Sequence, residues 1–544
     1  MKIKRIICLL VSALVVFGLA SCGGETSVAM DNSGSVKSNG GFVVETGEYV
    51  YFINGMESYS TEYKTGEVVK GALMRVKKSD FADFGTEKWS DDKSETVVSK
   101  LIVSGDYTAG FYIYGDYVYY AVPSAEKDTT GKVKSDKLNF FRTKLDGTST
   151  SSKITSEDFA NSASFRYVSK GDKVYLAVYD TAFYVYDAAA GKKVYTYDSE
   201  KEPIDELIFD DDNGASVYFT KKPINENLYD KESDAAKQAS YQDLYRYAFG
   251  DEAEALVLSG KGKYTVGPGH KLEEDNAAVS FTGMTIDLLK QKGGYLYFSY
   301  TNLDSTVGGT VYARIADGKT SWKDDVEVLN EGDKNASAIF ASGSYYYVGG
   351  NGKLHILYVS STNGLMDYDY TANSLLDAEE PKGDFGVSNI YYSEKIATCT
   401  IVGVYGDYLY AYDSANAYYR VNLSEILKGN ISGAGESRIN KLNLNTSWYQ
   451  PEVLTVGGKE YLFGVYSDSV YGSYCYAIDI AAAEKDYKDY KDKLGDDEDD
   501  DYYEKSVTKA ELKVLVEQTR LGKITDADKT TYTNYYDTLT DSND

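Results

Sequence analysis

Along most of the chain the apolar positions do not follow a helical spacing. They come in short runs rich in Tyr, Val, Ile and Phe, broken by Gly, Asp and Asn, which is the spacing of many short strands. One unit keeps returning: a glycine, two variable residues, an apolar residue, then tyrosine. It stands at Gly47–Tyr51, Gly115–Tyr119, Gly171–Tyr175, Gly214–Tyr218, Gly293–Tyr297, Gly343–Tyr347 and Gly406–Tyr410, with a weaker copy at Gly457–Tyr461. The mean period is about 59 residues, somewhat longer than the common propeller blade of about 40–50.

The flanks of each copy agree with one another. An apolar run precedes it, as at Phe42–Val44, Phe111–Tyr114, Phe165–Val168, Leu207–Phe209, Ala338–Phe340 and Thr400–Val404. The glycine pair then predicts a hairpin turn into the repeat strand. A third run pairs an aromatic residue with arginine, as at Phe141-Arg142, Tyr245-Arg246, Tyr312–Arg314 and Tyr419-Arg420, and Asp146-Gly147 or Asp317-Gly318 turns follow. A fourth run closes many units: Thr96–Val98, Lys193–Tyr195, Ala255–Leu258 and Val326–Val328. Four strands per unit, repeated without loss of phase over residues 41–480, predict an all-β chain folded as a β-propeller of four-stranded blades. Eight blades fit the eight copies, with seven as the alternative count; a pair of β-sandwich domains is the competing architecture. The eighth unit has no clear fourth strand, and residues 26–31 are placed to complete it.

The Gly-Asp-x-[Val/Leu]-Tyr strand, the aromatic-Arg strand and the Asp-Gly turn together resemble the YWTD-type propeller of the low-density-lipoprotein receptor and its bacterial relatives, although the YWTD tetrapeptide itself is absent. The resemblance implies the fold and carries no function with it.

The ends of the chain read differently. Lys2, Lys4 and Arg5 precede an apolar run from Ile6 to Leu19, which is too short for a comfortable membrane span and suits the core of a signal peptide. It ends in Leu19-Ala20-Ser21-Cys22, which resembles the lipobox of bacterial lipoproteins. That resemblance implies cleavage after residue 21, lipid on the Cys22 thiol, and a protein held outside the cytoplasm on the bacterial cell membrane. Two or more acyl chains make such anchoring stable. Residues 22–40 then form a flexible tether. At the other end, residues 481–505 are dominated by Asp, Glu, Lys and Tyr and are expected to be a disordered acidic linker. Residues 506–544 are expected to be helical. Thr508 and Glu511 form a capping box ahead of Leu512, Leu515 and Val516.

Charge and composition narrow the functions. The 544 residues carry a formal net charge of −27, and loss of Lys2, Lys4 and Arg5 with the leader makes it more negative still. Such a surface repels phosphate backbones, which argues against nucleic-acid partners. With 54 tyrosines and only 6 prolines, the body has the makings of sheet rather than of a disordered chain. Of the 4 cysteines, Cys8 leaves with the leader and Cys22 takes lipid. Cys399 and Cys475 are left, either as a pair or, more simply, as two buried apolar side chains.

Catalytic signals are sparse. The chain has 2 histidines. His355 sits in the apolar run Leu354–Tyr358 and reads as a satisfied structural residue; His270, in a Gly-Pro-Gly-His segment, is better placed for a site but has no nucleophile motif beside it. No zinc, phosphate-loop or hydrolase motif is present, and no cofactor or metal is expected. Asp317–Trp322 has the wrong spacing for a sialidase Asp box. The expectation is a membrane-tethered propeller that binds an envelope protein, a peptide or a glycan. The alternatives are a glycan-active enzyme with propeller-borne carboxylates, and a structural component of an envelope assembly.

Overall fold

Repeat glycines lie where the chain reverses. Gly47, Gly115, Gly171 and Gly406 have φ between +55° and +64°, a region that side chains disfavour and glycine enters freely. Nothing lies within 4 Å of a Cβ built at Gly115, Gly171 or Gly406, so the backbone conformation, and not crowding, calls for glycine there. The computed structural model describes residues 40–53, 73–81, 93–98, 110–123, 137–146, 151–160, 162–212, 214–227, 238–268, 271–274, 283–303, 309–332, 336–349, 352–368, 386–440, 451–468 and 472–494.

Within those residues the strands form eight antiparallel sheets arranged as the blades of a β-propeller: 43–98, 111–160, 164–197, 204–258, 284–330, 345–391, 400–438 and 452–479. Blades 1 and 3 to 7 each hold four strands; blade 2 has four in a meander and a fifth, Phe159–Ala160, paired with its third; blade 8 holds three among the described residues. Blade 4 carries an extra hairpin, Ile224–Asn227 with Gln238–Tyr241, between its second and third strands. First strands approach one another across the seams between blades 4 and 5, 6 and 7, and 8 and 1, which makes them the strands nearest the axis. Apolar clusters fill the seams: Tyr167 and Phe140 between blades 2 and 3, Phe183 and Tyr247 between 3 and 4, Ile356 and Tyr297 between 5 and 6, and one continuous cluster that links blades 7, 8, 1 and 2. This is how flat sheets with two apolar faces bury both of them.

The ring closes through side chains. Phe42, at the head of blade 1, lies 5.4 Å from the Phe463 ring of blade 8, and its N–H donates to Glu452 Oε1 at 3.0 Å. Burial pushes the Glu452 carboxyl up to about 7, although the amides of Phe42 and Val43 pull it the other way. Residues 26–31, the expected closing strand, lie outside the described residues, as does the leader with Cys22.

Three expectations are corrected. Gly343–Tyr347 does not make a second strand: Tyr345–Val348 is the first strand of blade 6, and Leu354–Ser360 is the second. Ala338–Phe340 is not a strand either, because Ala336–Ile339 is a short helix that buries Ala336 and Ile339. Two tyrosine-rich runs within a few residues of each other misled the reading of the repeat. Finally, the acidic linker does not begin at residue 481. Ile480–Leu494 is a helix. Asp479 Oδ1 accepts from the Ala482 amide at 3.1 Å at its start, and Lys485 pairs with Asp489 one turn on at 2.8 Å. Ile480, Tyr487 and Tyr490 are its buried residues, and its Glu484 receives Arg420 of blade 7. Charge content concealed the three-residue spacing of those tyrosines. Residues 495–544, with the expected capping box, lie outside the described residues.

Candidate functional site

Second and third strands pair in the same register around the ring, so equivalent positions can be compared blade by blade. The repeat tyrosine stands opposite arginine in five blades: Tyr51 with Arg75, Tyr119 with Arg142, Tyr218 with Arg246, Tyr297 with Arg314 and Tyr410 with Arg420. Four of these arginines lie over the preceding aromatic of the repeat, for example 4.3 Å from the Tyr295 ring for Arg314 and 4.1 Å from Tyr408 for Arg420; in blade 4 that position is Ser216. Arg75, Arg246 and Arg420 also reach the turn or helix that follows the next blade's third strand. Arg75 donates to Leu145 O at 3.3 Å, Arg246 Nε to Asp317 at 2.7 Å, and Arg420 to Glu484. Blades 3 and 8 keep the tyrosine but set Asp187 and Asp479 opposite it.

Blade 6 breaks the rule. Its second strand begins Lys353-Leu354-His355, matching Lys173-Val174-Tyr175 of blade 3, so His355 occupies the tyrosine position. The packing agrees: Leu357, on the same face as His355, belongs to the apolar cluster shared with blade 7, whereas Ile356 packs against blade 5. A second departure lies beside it. Opposite the residue two places after the repeat tyrosine, the other blades carry Leu73, Phe140, Val185, Leu244, Tyr312, Tyr418 and Ala477; blade 6 carries Asp367. The Nδ1–H of His355 donates to Asp367 Oδ2 at 2.8 Å, with the side chains 10% and 6% exposed. Asp367 Oδ1 is buried and has no hydrogen-bond partner. An unmet carboxylate oxygen in a protein interior costs about 1–3 kcal/mol or more, so a propeller optimised only for packing has no use for one.

The pair lines a cleft of 810 Å³ on the seam between blades 6 and 7. Its other wall is the short helix Leu423–Leu427 and the turn to Ile431, which stand in blade 7 where blade 5 has its Asp317-Gly318 turn. Asn422 Oδ1 caps that helix by accepting from the Glu425 amide at 3.1 Å. Ile426 and Leu427 line the cleft, as does Ile431, which is 50% exposed. Lys353 and Lys428 are the lysines among the lining residues, and Lys428 is paired with Glu425 at 2.8 Å. Ser388, across the strand pair from Asp367, is exposed. The volume falls in the range of about 300–1,000 Å³ typical of small-molecule sites.

Of the residues singled out in the sequence, His355 is hydrogen-bonded in the sheet, to Asp367 on the neighbouring strand, and it also lines this cleft. The reading of local sequence missed Asp367; its signal was an acid inside the apolar run Gly364–Tyr368. His270 and Cys22 lie outside the described residues, and so does the Cys475 side chain. Cys399 is a free, buried thiol that donates to Lys395 O at 3.1 Å, and burial pushes it up to about 12, which makes it inert packing material. Among the described residues no group of three or more His, Cys, Asp or Glu side chains could hold a metal ion, and no helix is long and apolar enough to cross a membrane.

Fold and seam together place the chain among the eight-bladed β-propellers. No protein-family model matches it, and no curated protein matches it either. Solved structures similar to it include the β-propeller domain of the Trilobed protease from Pyrococcus furiosus, at 9% identity over 71% of this chain and 93% of that one, with a TM-score of 0.30. Another is a chain of the Mitotic Checkpoint Complex, at 8% identity over 66% of this chain and 85% of that one, also with a TM-score of 0.30. Superpositions this loose carry no argument, and the assignment rests on the eight sheets themselves.

Proposed function

We propose that this chain is a lipid-anchored extracytoplasmic binding module: cut before Cys22, held on the bacterial membrane by lipid on that thiol, and using its propeller to bind an envelope protein, peptide or glycan. The observation that carries the binding part is the cleft between blades 6 and 7, where a repeated packing position has been given over to a buried His355–Asp367 pair. The anchor is supported by the Leu19–Cys22 lipobox behind a short apolar run. Glycosidase chemistry usually takes two carboxylates at a set separation, and among the described residues that line this cleft Asp367 is the one carboxylate, so binding is the better reading of it.

The anchor is tested by labelling cells with an alkyne fatty acid and fractionating them. The wild-type chain should carry label and sediment with membranes, while Cys22→Ala should be unlabelled and released. Label or membrane retention in that variant would overturn the lipoprotein reading.

A further inference from the structure

Ligand chemistry can be argued from the walls of the cleft, on the basis of the binding-module reading above. Its buried polar centre is an acceptor: Asp367 is 6% exposed, its Oδ2 is taken by His355, and its Oδ1 has no partner. An acceptor of this kind is completed by a ligand N–H or O–H. An anionic ligand meets the Asp367 carboxylate. A neutral molecule rich in hydroxyls supplies the donor without adding a charge to a cleft that already holds Asp367, Lys353 and the Lys428 of the Lys428–Glu425 pair. The apolar wall, Ile426, Leu427 and the exposed Ile431, suits the C–H face of a pyranose ring, and the Tyr347 ring, 6.2 Å from that of His355, offers a flat surface.

We infer that the cleft between blades 6 and 7 is a binding site for a neutral saccharide, with Asp367 as the acceptor for a ligand hydroxyl and Ile431 as part of the apolar wall. His355 positions the Asp367 carboxylate by holding its other oxygen. Blade 6 departs from the repeat at both places at once because each polar side chain would be an unmet group without the other.

The test uses the full-length protein in detergent, probed with an array of neutral oligosaccharides and a library of lysine- and arginine-bearing peptides. At least one neutral oligosaccharide should bind. Asp367→Asn should weaken it by roughly 10- to 100-fold, the range for losing a hydrogen bond to a charged group. Ile431→Ser, at an exposed position, should weaken it by a few-fold without a change in melting temperature, which keeps the test valid if the Asp367 variant folds poorly. Saccharide binding that neither substitution touches would overturn the site. Binding of basic peptides alone, dependent on Asp367, would overturn the saccharide class and leave the binding module standing. If neither probe bound in a way that depends on Asp367 or Ile431, the inference and the use of this cleft as the module's site would both fall.

Discussion

Two seams of one ring show opposite solutions to the same packing problem. Between blades 4 and 5, Asp317 accepts from Arg246 Nε at 2.7 Å and Nη2 at 2.9 Å, from Tyr218 at 2.7 Å and from Ser216 at 2.8 Å. Burial works to raise the Asp317 carboxyl, but those donors outweigh it and hold the group below its ordinary value. Between blades 6 and 7 the tyrosine is His355, a helix replaces the Asp-Gly turn, and Asp367 keeps one oxygen unmatched. The first seam is a clasp in which the Asp317 carboxylate meets its donors, although Gln291 Oε1, on the side chain that donates to Ser216, has no partner. The second is an opening lined by a buried carboxylate that has no donor for its Oδ1 within the protein.

Substitutions can break that contrast, starting where the largest loss is expected. Replacing His355 with Leu leaves the Asp367 carboxyl buried without its partner, and chemical denaturation should show a loss of about 3–5 kcal/mol. The double variant His355→Leu, Asp367→Leu restores an apolar seam like those of the other blades. It should recover most of that loss or exceed the wild type. Equal losses in the single and double variants would show that the pair is not coupled.

The closing seam between blades 8 and 1 sharpens the contrast through pH. Glu452 sits at about 7 when folded against an ordinary value near 4.5, so its contribution is fully present below about 4.5 and is lost as pH rises through 7. Wild-type stability should fall by about 3 kcal/mol from pH 4.5 to well above 7 through this group, and Glu452→Gln should flatten that part of the profile. A profile identical in both proteins would remove Glu452 from the closure. The smallest effect is expected at the clasp itself. Asp317 is 36% exposed, so Asp317→Ala lets Ser216, Tyr218 and Arg246 turn partly to water and should lower stability by about 1–2 kcal/mol in a urea titration.

Much of this architecture was legible in the chain. Seven of the eight repeat copies begin second strands, and the aromatic-Arg runs fall on third strands as expected. The copy that failed, Gly343–Tyr347, did so because a first strand and a second strand of blade 6 both present tyrosine or its substitute within a few residues, and local alternation cannot rank them. Nor could charge content show that Ile480–Leu494 buries Tyr487 and Tyr490. The candidate site was half visible. His355 could be named, but its partner Asp367 and the wall at Ile431 could not be attached to it.

The sequence by itself determined most of the strands, their turns and the phase of the repeat, and narrowed the blades to seven or eight, because these depend on alternation and glycine conformations within a few residues. Only the tertiary structure decided which blade departs from the pattern in a way that matters. Register across hairpins sets His355 beside Asp367, and radial packing brings Ile431 of the next blade to the same cleft. Those contacts join residues tens of positions apart, and no local periodicity encodes which distant side chain will stand opposite a given one.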